Sequence, residues 1–203
     1  MAPRPAPGRK AGRAARRARR GGSAWADAPS GIPMVGFCQR VRYAMRQAQG
    51  HEAAMTPEDR AAFGIDGNWP VARRHRIRWS ECDALGHANN VAYLTLCEDL
   101  RVGPGWSALG GTFAPGSVSP VVAQLEARYL KSLVFEDEAM VTLRFAAVKR
   151  TSFVHEYAVW RQGLCFSCRT VLVAVDQTSG ARVPVPPPIR AAMLAAGAKD
   201  EAG

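Results

Sequence analysis

Apolar and polar positions alternate with the period of a strand over residues 118–131, 139–148, 153–161 and 165–176, and the runs are rich in Val and aromatic residues. Two connections are short, Lys149-Arg150-Thr151-Ser152 and Gln162-Gly163, which predicts consecutive antiparallel hairpins. Upstream, Arg74-His75-Arg76-Ile77-Arg78-Trp79-Ser80 alternates as a half-exposed strand does. Residues 83–90 are polar and contain glycine, hence a loop. From Val91 to Arg101 the first two turns are apolar nearly all round, the mark of a helix buried on most sides. Asn89 or Asn90 is its cap. Gly103-Pro104-Gly105 is expected to break or kink it. A short helix from Pro57 to Phe63, capped by Thr56 and ended near Gly64, precedes all of this. Residues 176–180 form a turn, and after residues 184–188 there is room only for a short, weak helix.

One strand, one buried helix and a run of four long strands predict an α+β fold. In it a curved antiparallel sheet of about five strands wraps around one long central helix. A single helix covers only part of such a sheet, so pairing of two subunits is expected.

Charge divides the chain. Eleven of the 27 basic residues but only two of the 17 acidic ones lie in residues 1–54, so the net charge of +10 belongs to that segment and the remainder is close to neutral. Nucleic-acid binding is therefore not expected of the folded part, residues 55–203 with a core over about 71–185. Residues 1–22 are poor in large apolar groups. The readings open for 1–54 are a solvated disordered tail, an Arg-rich targeting peptide, a polyanion-binding arm, or an upstream extension of a protein that starts at Met55. No run approaches the roughly 20 apolar residues of a membrane-spanning helix. Five cysteines without framework spacing and without a secretory signal point to free thiols in the cytoplasm. Cys165-Phe166-Ser167-Cys168 stands in a strand, where residues three apart point to opposite faces, so no metal or redox role is expected of it.

The stretch Glu81-Cys82-Asp83-Ala84-Leu85-Gly86-His87-Ala88-Asn89-Asn90-Val91-Ala92-Tyr93, followed by Glu98 and Arg101, resembles the signature of the 4-hydroxybenzoyl-CoA thioesterase branch of the hotdog superfamily. Residues 126–131, 135–138, 149–153 and 171–176 are similar in order to later segments of that family. Glu81 stands where the family usually has Asp, and Gly103-Pro104-Gly105 falls where relatives continue the helix.

The resemblance implies a thioesterase that hydrolyses acyl-CoA without metal or cofactor, working as a homodimer or a dimer of dimers. Thioester hydrolysis needs an activated water or nucleophile and a stabilised oxyanion. A helix N-terminus offers free amides and about half a unit of positive charge. The amides of residues 89–91 are placed for this, and by resemblance that of Asn90 polarises the carbonyl. Asp83 is the general base or the nucleophile; its bland alternative is a loop-fixing carboxylate. His87 is an acid–base group or orients the loop. Asn89, Val91, Tyr93 and Trp79 are assigned to substrate binding, with Tyr93 and Trp79 expected to line the core or acyl pocket. Arg150, Thr151 and Ser152 are candidates for the CoA phosphates. Glu98 and Arg101 suit an ion pair. Alternatives are an acyl-carrier-protein thioesterase, or a non-catalytic binding protein with a basic, anion-binding tail.

Overall fold

The computed structural model describes residues 55–202 apart from Pro115. The readings of residues 1–54 lie outside the described residues.

Five strands form one antiparallel sheet in the order β1-β3-β4-β5-β2: β1 (Val71–Arg76), β2 (Val118–Tyr129), β3 (Glu138–Val148), β4 (Ser152–Trp160) and β5 (Leu164–Asp176). A two-residue β6 (Lys199–Asp200) pairs in parallel with the end of β3. Register shifts in β2 between Val122 and Gln124 and in β3 between Phe145 and Ala147 are bulges, which raise local twist and curl a sheet. The expected α+β hotdog architecture is present.

The first strand differs from the sequence expectation. It begins at Val71 and stops at Arg76 rather than running over residues 74–80. The Ile77 amide still donates to the Asp137 carbonyl at 2.9 Å, one rung beyond Arg76 and Glu138, but the Ile77 carbonyl accepts from Glu136 rather than Asp137, and Trp79–Glu81 then closes a 3-10 turn.

The central helix α2 (Asn90–Leu100) carries Ala92, Tyr93, Leu96, Cys97 and Leu100 against the sheet. Gly103-Pro104-Gly105 does not break it. The helix continues through a π-turn, Arg101–Gly105, into a last turn, Trp106–Ala108. Proline has no amide to donate, and a one-residue widening accommodates its ring without ending the helix. The widening shifts the phase, so that Trp106 and Leu109 face the core while Ser107 and Ala108 face solvent. Gly105 is needed there for space. A Cβ on it would lie well inside contact distance of the buried Leu143 side chain and 2.9 Å from the Leu100 carbonyl.

Alternation along β3 sorts the two faces of the sheet. Ala139, Val141 and Leu143 join the main core with α2 and with Ile189 and Met193 of the C-terminal helix α3 (Pro187–Ala195). Met140 points the other way, into a second cluster of Phe63, Ile65, Trp69, Ala158 and Trp160 on the outer face. That cluster is covered by α1 (Pro57–Phe63), whose start has a full capping box between Thr56 and Asp59 and whose end is Gly64 in the left-handed region. Among the described residues no helix is long and apolar enough to cross a membrane.

β2 is an edge strand, and it is bare. From 121 to 130 every residue but Ala127 is exposed, including Val121, Val122, Leu125, Tyr129 and Leu130. A long apolar edge open on both faces is unusual for a lone subunit.

Candidate active site

Backbone hydrogen bonds pinch the loop before α2 into a short ladder. The Asp83 amide donates to the His87 carbonyl at 2.8 Å, the Asn89 amide to the Glu81 carbonyl at 2.8 Å, and Cys82 bridges Ala88 between them. Gly86 takes φ 78°, which a residue with a Cβ rarely adopts, and lets the loop close. On its other side the loop is stitched to the turn before β3, with the Ala88 amide on the Leu133 carbonyl at 2.7 Å. The ladder brings Asp83 back beside the chain that starts the helix.

The Asp83 side chain helps to fix the loop. One oxygen, Oδ1, accepts from the Leu85 amide at 2.8 Å and from the His87 amide at 3.3 Å, the loop-fixing arrangement. Its other oxygen has no partner among the described residues. Asp83 is exposed, and so is His87, whose backbone is tied into the loop.

At the helix start, Asn89 is the cap. Its Oδ1 accepts from Val91 at 2.7 Å and from Ala92 at 3.1 Å. The Asn89 amide is already given to Glu81. Of the three amides expected to serve a carbonyl, those of Asn89 and Val91 are therefore engaged, and that of Asn90 is left open among the described residues.

Tyr93 is buried in the core, and its hydroxyl accepts from the Leu133 amide at 3.0 Å. Val91 is exposed beside the helix start. Trp79 is not in the core, one of the two places expected for it. It is 74% exposed and stands edge-on to Phe135, ring centroids 5.9 Å apart. The 3-10 turn that ends β1 early carries it outward.

Arg150, Thr151 and Ser152 also fall elsewhere. Asp83's loop adjoins the turn that opens β3 at Glu138, whereas residues 149–152 follow its other end at Val148. Eleven residues of strand separate them, roughly 35 Å at the usual rise. One subunit does not bring the two together.

Two contacts near the loop were not legible in the sequence. Glu81 Oε2 accepts from the Arg78 amide at 2.8 Å and lies 2.8 Å from His75 Nε2. Burial works upward on this carboxyl, but those two hydrogen bonds and the Arg78 charge outweigh it and hold it below its ordinary value. Tyr129, at the end of β2, donates its hydroxyl to the Asn90 carbonyl at 3.2 Å and packs its ring on Tyr93 and Phe166. The only sequence signal for the latter was the position of Tyr129 in the strand segment 126–131.

A curved antiparallel sheet around a buried helix, with an acid-bearing loop at the helix's amide end, defines a hotdog domain of the thioesterase type. The chain belongs to the thioesterase-like superfamily, whose sequence model matches residues 77–193. It is similar to a solved thioesterase-superfamily structure from Jannaschia sp. CCS1, at 29% identity over 71% of this chain and 93% of that one, with a TM-score of 0.64. A thioesterase from Thermus thermophilus, solved with coenzyme A and Zn, is 28% identical over 62% of this chain and 98% of that one, with a TM-score of 0.56. A 1,4-dihydroxy-2-naphthoyl-CoA thioesterase from Synechocystis shares the fold at 14% identity over 61% of this chain and 95% of that one, with a TM-score of 0.55. Among curated proteins none matches the chain significantly.

Proposed function

We propose that this protein hydrolyses acyl-CoA thioesters to the free acid and CoA, with the Asn90 amide polarising the carbonyl and Asp83 serving as general base or nucleophile. The observation that carries this reading is the selective capping of α2. Asn89 satisfies the neighbouring donors and leaves the Asn90 amide open, at the positive end of the helix. Asp83 contributes the oxygen that the loop does not use. His87 keeps its place in the site through the loop backbone, and the exposed Val91 lies at the mouth. The four described cysteines are free, in keeping with the reducing cytoplasm in which soluble CoA thioesters occur.

The functional unit is a homodimer joined along β2. The bare edge supplies unpaired backbone groups and apolar side chains. Antiparallel pairing of two β2 edges sets the Tyr129 end of one strand beside the Val118 end of the other. Val118 pairs with Asp176, and the 149–152 hairpin lies at that same end of the sheet, where Ser152 pairs with Val173. The second subunit's hairpin thereby comes toward the first subunit's Asp83 loop, which restores Arg150, Thr151 and Ser152 as CoA-binding residues.

Turnover of an acyl-CoA panel by wild type and Asp83→Asn tests the assignment. Asparagine keeps an Oδ1 acceptor for Leu85 and His87, so the loop stays formed. A fall in kcat of at least about 100-fold in a protein with unchanged melting is expected; full activity would remove Asp83 from the mechanism. Thioesters of acyl-carrier protein, run side by side, separate the two carriers.

A further inference from the structure

Two peptide units meet at the Asn90 Cα, and the open amide belongs to the first. That unit is fixed at its oxygen, where the Asn89 carbonyl accepts from the Ala92 amide at 3.0 Å. The second unit, between Asn90 and Val91, is held at both ends. Its N–H donates to Asn89 Oδ1 at 2.7 Å, and its carbonyl accepts from the Tyr129 hydroxyl at 3.2 Å. Asn89 is a neighbour in sequence, whereas Tyr129 arrives from another element, 39 residues beyond Asn90.

Tyr129 is the last residue of β2, and its surroundings make it a fixed point. Its backbone pairs with Phe166 of β5, and the next amide, that of Leu130, donates to the Cys165 carbonyl at 2.8 Å. Its ring centroid lies 5.0 Å from that of Phe166 and 5.6 Å from that of Tyr93 of α2, which it meets edge-on. Tyr93 is in turn stacked on Phe166 at 5.1 Å. Three rings, from one helix and two strands, thus set the direction in which the Tyr129 hydroxyl points.

The first turn of a helix lacks intrahelical partners for its amides and is where fraying starts. Rotation of the Asn90–Val91 unit turns residue 90 with it and swings the open N–H out of line. Hydrogen bonds weaken steeply with such misalignment. A donor anchored in the sheet opposes that rotation from outside the helix.

We propose that Tyr129 is a positioning residue for the reaction: its hydroxyl clamps the Asn90–Val91 peptide and so holds the Asn90 amide in line with the thioester carbonyl. The role needs no contact between Tyr129 and the reacting atoms. Its catalytic half rests on the thioesterase reading above; the clamp itself concerns the fold alone.

Tyr129→Phe tests both halves, since it removes the hydroxyl and keeps the ring against Tyr93 and Phe166. Asn90-Val91 is the only Asn–Val pair in the chain. Carbonyl-labelled asparagine with nitrogen-labelled valine therefore gives a single correlated NMR signal, from the clamped peptide itself. In the full chain its carbonyl shift is expected to move upfield in Tyr129→Phe, with melting little changed. On an acyl-CoA panel kcat is expected to fall about 3- to 10-fold, the weight of one neutral hydrogen bond, with KM unchanged. An unmoved carbonyl signal would overturn the clamp. A moved signal with wild-type kcat, or a loss confined to KM, would overturn the positioning role. A wild type that hydrolyses thioesters of neither CoA nor acyl-carrier protein would sink the thioesterase reading and the catalytic half of this proposal, and the carbonyl signal would still decide the clamp.

Discussion

The side-chain oxygen of Asn89 holds the amide of Val91 at 2.7 Å, and this one contact decides which donor the helix start presents. Removing it has a two-part consequence. Asn89→Ala loses a helix cap and about 1 kcal/mol of stability by thermal or urea unfolding. It also frees the Val91 and Ala92 amides to compete for the carbonyl, so kcat is expected to fall. Asn89→Asp keeps the cap and the melting temperature.

Trp79 and Trp106 should separate cleanly by mutation. Trp106 is 1% exposed in the main core, and truncating it to Ala is expected to cost about 3–5 kcal/mol. Trp79 stands in solvent against Phe135 alone, so Trp79→Ala should cost under about 1.5 kcal/mol by urea unfolding. Equal losses would place Trp79 in the core after all.

In an ordinary helix, Gly→Ala is stabilising by about 1 kcal/mol. At Gly105 the sign reverses. The new methyl meets the Leu143 side chain, which has no solvent to retreat into, and the Leu100 carbonyl, which cannot move without the helix. Gly105→Ala is expected to destabilise by about 1–3 kcal/mol, read from the midpoint of urea unfolding.

His155 makes stability depend on pH. Complete burial, and then the Arg101 charge, push it down to about 3, and its Nε2 has no partner among the described residues. The unfolded chain takes up a proton near 6.5 and the folded one does not, so between these values the unfolded state binds more protons and stability falls as pH falls. From pH 7 to pH 5 this amounts to about 2 kcal/mol. In His155→Phe that component should vanish; an unchanged slope would assign the acid sensitivity to other groups.

The strands were legible because they are long runs rich in Val and aromatic residues, two of their connections being too short for anything but a hairpin. The helix start was legible because Asn89 is a cap by chemistry. What the helix does at Gly103-Pro104-Gly105 was not, since a proline that ends one helix is absorbed by a wider turn in another when the following residues have a core to reach. The outward position of Trp79 goes with the 3-10 turn Trp79–Glu81, which the alternation over residues 74–80 does not encode. The separation of residues 149–152 from Asp83 is a matter of strand length and direction, visible only once β3 is laid beside its neighbours.

The π-turn at Arg101–Gly105 acts as a one-residue spacer in the helix's indexing. An unbroken α-helix would carry each later side chain about 100° around the axis from where it now points. Trp106 would then turn to the solvent side where Ser107 now stands, and Ala108 would take the core-facing direction of Leu109. Deleting one residue of that segment would let the turn close as ordinary α-helix with Trp106 and Leu109 still on the core side.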